Sequence, residues 1–252
     1  MTKTISYFLA TILCLSGCIA TQTAPPPQQK KKPKPTTPPP SHIYMEDLRV
    51  DIFPAVGSIN FESDGRLIGS GVLISPNIVL TAAHVTENKD DIIYVEHDGD
   101  EYCIEEVIYY PTHAPGLLIH DIAIIVLETN SDEVPIELID PEKDAIFKRM
   151  DLTTVGFGTG RKRFSNYGMF WYYGRLIQRP EFMIMLPINA SIWFGDSGGA
   201  VLTQQGKLIG IMSYFETTGR GKIYENGCAS IEYYKDWIEE VKGERLLERM
   251  DK

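Results

Sequence analysis

The chain has 252 residues and a formal net charge of −10. That length suits one large all-β domain, or two small packed barrels, beyond any targeting segment. Five of the 24 basic residues and none of the 34 acidic ones lie in residues 1–42, so the remainder carries −15, which argues against a nucleic-acid partner.

The first forty residues differ from the rest. Lys3 followed by the apolar residues 5–15 is too short to span a bilayer and reads as a secretory signal, residues 1–17. It ends in Leu15-Ser16-Gly17-Cys18, which resembles the lipobox of bacterial lipoproteins. The resemblance implies cleavage before Cys18, diacylglycerol on its sulfur and an acyl chain such as palmitate on its amine. Several acyl chains give stable membrane anchoring where one does not, so an exported lipoprotein held in the cell envelope is expected. Residues 18–42 are rich in proline, lack acidic residues and carry Lys30, Lys31, Lys32 and Lys34. Such a segment cannot build a core; it is expected to be an extended spacer reaching at most ~70 Å. Its lysines either touch anionic envelope groups or are simply solvated.

Residues 43–252 read as the folded domain. Residues 56–61 and 67–75 are β-branched or alternating runs flanking the turn signal Asp64-Gly65. Further strands are expected over 77–81, 92–96, 105–110 and 122–127, then over 152–157, 174–178, 182–186, 200–203 and, beyond the Gln205-Gly206 turn, 208–214. Many short strands between turn signals suggest barrels. Residues 233–250 have helical spacing, with Trp237, Ile238, Val241 and Leu246 on one face expected to dock on the second barrel.

Three motifs carry the chemistry. In Gly195-Asp196-Ser197-Gly198-Gly199 a serine is held between glycines, where neighbouring backbone N–H groups can bind an oxyanion. Thr81-Ala82-Ala83-His84 supplies a base, and His120-Asp121-Ile122-Ala123 its carboxylate partner. A serine hydroxyl is too weakly acidic to attack unaided, and an ordinary histidine, titrating near ~6.5, can accept its proton around neutral pH.

Over roughly residues 52–242 the chain resembles the chymotrypsin/trypsin family of serine endopeptidases, in these motifs and in Gly69-Ser70-Gly71, Val155-Gly156-Phe157-Gly158 and Asp236-Trp237-Ile238. The resemblance implies an all-β fold of two packed six-stranded antiparallel β-barrels with a C-terminal α-helix. The cleft would lie between them, with His84 and Asp121 on the first barrel and Ser197 on the second. It further implies Ser197 as nucleophile, His84 as general base and then acid, Asp121 as its orienting partner, and the N–H groups of Gly195 and Ser197 as the oxyanion hole. The substrate would be a protein or peptide, and no cofactor is required.

The sequence also departs from the family pattern. Val85 and Trp193 stand where cysteines are usual, leaving Cys103 and Cys228 in the domain. They are expected on different barrels and hence not joined. Ser191, at the expected base of the specificity pocket, is no aspartate, so Arg or Lys preference is not implied. Ser213-Tyr214-Phe215 resembles the pocket's wall strand, with Phe215 narrowing access; Met212, where the family's glutamate-specific branch has a histidine, argues against an acidic residue before the cut. Small or medium apolar side chains are expected at P1, the substrate residue before the cut. His42, His97 and His113 lack metal-ligand spacing and read as surface residues. The acidic segment 96–101 falls where some relatives bind calcium, but it lacks an EF-hand pattern and reads as a solvated loop; no metal is expected. Arg161-Lys162-Arg163 reads as an exposed loop. A lipid-anchored endopeptidase, monomeric, is the leading reading, and a catalytically silent binding lipoprotein on the same fold is the alternative. No Ile-Val-Gly-Gly precedes Pro54, so the anchored form is expected to be competent, with Asp196 satisfied internally.

Overall fold

The computed structural model describes residues 53–87, 90–96, 99–144, 151–158, 163–167, 169–171, 181–186, 192–217 and 223–250. The signal, Cys18, the spacer, His42, His97, Ser191 and the strand expected over 174–178 lie outside these described residues.

Six strands in the first half close on themselves. They are β1 (Val56–Phe61), β2 (Leu67–Ser75), β3 (Ile78–Thr81), β4 (Ile92–Val95), β5 (Glu101–Tyr109) and β6 (Ala123–Leu127), in the order β1-β2-β3-β6-β5-β4. The β1–β2 hairpin turns at Asp64-Gly65, where the Arg66 N–H donates to Asp64 Oδ1 at 2.9 Å. Strand β6, Ala-Ile-Ile-Val-Leu, is buried along its whole length, which explains a continuous apolar run in place of alternation. Strand β5 shows the opposite, with Glu101, Cys103 and Glu105 exposed.

The second half forms one antiparallel sheet in the order β8-β7-β11-β12-β13-β10-β9. These strands are β7 (Leu152–Gly156), β8 (Arg163–Tyr167), β9 (Met169–Trp171), β10 (Phe182–Leu186), β11 (Ala200–Leu202), β12 (Leu208–Thr217) and β13 (Ile223–Ser230). The two edge strands, β8 and β9, are separated in the chain by residue 168 alone, β8 pairing with β7 and β9 with β10. Counted as one run, β8 and β9 reduce the sheet from seven strands to six. Arg163 opens β8 and so is not the loop residue expected. Its neighbours lack the β-branched alternation that marks a strand.

Two helices complete the described fold, α1 (Ala83–Thr86) and α2 (Ile231–Met250). Helix α2 buries Ile231, Tyr234, Ile238 and Val241 at helical spacing, but Leu246 is 63% exposed and does not belong to the docking face. Its last turns hold on by charge instead. Arg245 pairs with Glu106 at 2.9 Å and Arg249 Nη2 donates to the Leu127 carbonyl at 2.6 Å, so α2 lies against both the second sheet and the first barrel. No described helix is long and apolar enough to cross a membrane. Cys103 on β5 and Cys228 on β13 are not joined. Burial pushes the Cys228 thiol well up, as for an inert packed cysteine.

Candidate active site

The loop bearing Ser197 is held from both the first barrel and the second sheet. Gly195 has φ +96°, and a Cβ there would come within 2.7 Å of Leu67 Cδ2, so the position requires glycine. The Asp196 N–H donates to the Trp193 carbonyl at 3.0 Å, closing a tight turn. The buried Asp196 carboxylate accepts the N–H groups of Gly158 at 2.6 Å and Trp193 at 2.8 Å. A side chain at Gly158 would fall on that carboxylate, which is why the Val155-Gly156-Phe157-Gly158 segment ends in glycine. Ser70 on β2 ties the parts together: its Oγ donates to the Gly195 carbonyl at 2.7 Å and accepts the Phe157 N–H at 2.9 Å, while its N–H donates to the Ser197 carbonyl at 2.7 Å. Ser70, marked in the sequence only by the Gly69-Ser70-Gly71 segment, is a positioning residue. The Gly198 N–H is taken by the Met212 carbonyl, whereas the N–H groups of Gly195 and Ser197 have no acceptor among the described residues.

His84 is the second residue of α1. Its Nδ1 lies 2.8 Å from Asp121 Oδ2, and its backbone N–H donates to Asp121 Oδ1 at 2.9 Å. Asp121 is fully buried and also accepts the Ser213 hydroxyl. Burial works to raise the Asp121 pKa, but the hydrogen bonds and charge of His84 and the Ser213 hydroxyl outweigh it and hold the carboxyl below its usual range. An ionised carboxylate can only accept, so the proton between the two sits on Nδ1 and leaves Nε2 as the ring's acceptor. Ser197 Oγ donates to the Ser213 carbonyl at 3.3 Å. Ser213 thus touches Ser197 and Asp121 at once, and Asp121 holds His84.

A further layer surrounds the Asp121 loop. His120 has φ +49°, and its Nδ1 lies 3.0 Å from Tyr234 Oη on α2 while its ring packs 4.8 Å from Tyr110. His113 is not the surface residue expected: its side chain is 4% exposed, with Nε2 2.8 Å from Glu87 Oε1 and Nδ1 3.1 Å from the His120 carbonyl. Glu87 directly follows α1, so this pair braces the helix bearing His84 against the loop bearing Asp121. Glu96, expected in a solvated loop, is buried and accepts the Ser131 hydroxyl.

The expected specificity residues fall in two groups. Phe215 stacks on Trp193 at 5.7 Å and 11°, and Phe194 meets both rings edge-on, 72% exposed. Tyr214 turns to the other face of β12, where its ring meets Phe182 at 5.9 Å.

Known proteins resemble this chain in sequence and fold. The family model described as Trypsin matches residues 48–238. A probable periplasmic serine endoprotease, DegP-like, from Halomonas elongata is 24% identical over 194 residues, 77% of this chain. The chain spans 39% of that relative's length. A collagenase from Hypoderma lineatum is 25% identical over 208 residues, covering 73% of this chain and 80% of that protein. Among solved structures, neuropsin, a serine protease of mouse brain, has a TM-score of 0.63 at 21% identity, covering 75% of this chain and 95% of that one, a likeness of fold.

Proposed function

Given that the chain belongs to the trypsin family and is a serine protease of that fold, we propose that Ser197, His84 and Asp121 perform peptide hydrolysis through an acyl-enzyme. His84 Nε2 takes the Ser197 proton as Oγ attacks the scissile carbonyl carbon, forming a tetrahedral oxyanion that the N–H groups of Gly195 and Ser197 receive. Collapse breaks the C–N bond and His84 returns the proton to the leaving amine. Water then attacks the acyl-enzyme with His84 again as base, releasing the acid and restoring Ser197. Asp121 keeps the His84 proton on Nδ1 throughout. The observation that carries this reading is the connection from His84 through Asp121 and Ser213 to Ser197.

We further propose that the protein is exported and anchored through lipidated Cys18, in keeping with its signal-like start and a periplasmic relative. Trp193, Phe194 and Phe215 carry no charge, which supports an uncharged P1 residue. The Trp193–Phe215 stack also favours a second reading, a binding lipoprotein whose pocket stays closed. One experiment separates them: the full chain cleaves casein or mixed peptides, and Ser197→Ala removes nearly all of that cleavage. Equal cleavage by Ser197→Ala overturns the mechanism, and no cleavage by either leaves the binding reading.

A further inference from the structure

Asn226 lies on β13 directly opposite Phe215 of β12. Directly opposed residues of an antiparallel pair project from the same face with Cβ atoms ~4.5–5.5 Å apart. That face bears the Phe215–Trp193 stack and therefore looks toward the loop of Ser197. Asn226 is fully buried, and among the described residues neither its Nδ2 nor its Oδ1 has a hydrogen-bond partner. Folded proteins seldom leave a buried amide with both ends unpaired, so the position calls for a ligand. It is close enough for a substrate to reach: Ser213, whose carbonyl receives Ser197 Oγ at 3.3 Å, precedes Phe215 by two residues, ~6.6 Å along a strand.

We propose that Asn226 is a specificity-determining residue that reads a primary carboxamide, so that the enzyme prefers glutamine at P1. The inference rests on the peptidase reading and narrows the uncharged P1 residue to one class, replacing the apolar side chain expected from sequence. A carboxamide offers a donor and an acceptor in one plane, the complement of Nδ2 and Oδ1, and two hydrogen bonds satisfy both. A carboxylate would satisfy Nδ2 alone and an ammonium Oδ1 alone, each leaving an unpaired charge at a buried amide opposite the neutral Phe215. An aliphatic side chain leaves both ends unpaired, the situation in which a polar pocket discriminates most strongly. The route in passes Trp193, which is 44% exposed, and admitting a side chain there requires its ring to leave the Phe215 stack.

The test uses the full chain and a set of fluorogenic peptides differing only at P1: glutamine, glutamate, methionine and lysine. Glutamine is expected to exceed each of the others by about tenfold or more in kcat/KM, the worth of about one net hydrogen bond. Asn226→Leu is expected to bring methionine level with or above glutamine. Wild-type cleavage after methionine that equals or exceeds cleavage after glutamine overturns the inference, whether or not the variant folds. Glutamine preference that survives in Asn226→Leu also overturns it. Fluorophosphonate labelling of Ser197 run alongside keeps the two claims apart: labelling and cleavage without glutamine preference reject the role of Asn226 alone, whereas neither labelling nor cleavage rejects the peptidase reading with it.

Discussion

Asp121 is a buried carboxylate kept ionised by its partners, and two consequences follow at the residue scale. Asp121→Asn preserves the shape of the site but presents an amide that also accepts the opposite His84 tautomer; kcat is expected to fall on the order of 10⁴-fold, measured at saturating peptide. The second consequence concerns pH. The folded-state pKa lies below the ordinary value because the His84 and Ser213 hydrogen bonds overcome burial, so unfolding takes up a proton. The resulting stability is complete above the unfolded value near ~3.9 and is lost as the pH falls through it toward the lower folded value. Asp140 and Asp144 are held low by Lys143, Lys235, Lys207 and backbone hydrogen bonds and act in the same direction. The informative quantity is therefore a difference: in urea unfolding between pH 6 and pH 3, Asp121→Asn should lose less stability than wild type. An unchanged slope would mean that Asp121 does not carry the depressed pKa.

At the scale of elements, the site depends on contacts between segments far apart in the chain. Tyr234 on α2 reaches His120, whose backbone leads into Asp121. Tyr234→Phe keeps the ring packing against Tyr110 and removes only the hydroxyl, so kcat should fall several-fold, roughly the worth of one hydrogen bond, with KM nearly constant. A fall in thermal stability with kcat unchanged would make the contact structural only. The sequence does not announce this link, because the two residues are 114 positions apart and Tyr234 belongs to no motif. The strands of the first barrel were legible because β-branched runs such as Ile124-Ile125-Val126 have few other uses. Strand β13 was not, since Asn226-Gly227 breaks its alternation, Gly227 being required where the Tyr214 ring lies over the backbone. His84, Asp121 and Ser197 stand in short motifs readable in one dimension. Ser70, Glu87 and His113 act through folded contacts that no local pattern announces.

For the whole molecule, the question is whether the chain works while anchored. A lipidated Cys18 would carry an acylated amine, uncharged and separated from the domain by the spacer, and it could not pair with Asp196. The backbone N–H groups of Gly158 and Trp193 already hold the Asp196 carboxylate, so the Gly195–Ser197 loop is expected to keep its place without such an amine. The anchored enzyme is therefore expected to be active without cleavage near Arg49. The most direct measurement is fluorophosphonate labelling of the full chain in membranes, beside a version beginning at Val50, with the modified residue located by peptide mapping. Both forms should label at similar rates on Ser197, and His84→Ala should abolish the adduct. Labelling confined to the form beginning at Val50, or an adduct on any residue other than Ser197, would contradict the account.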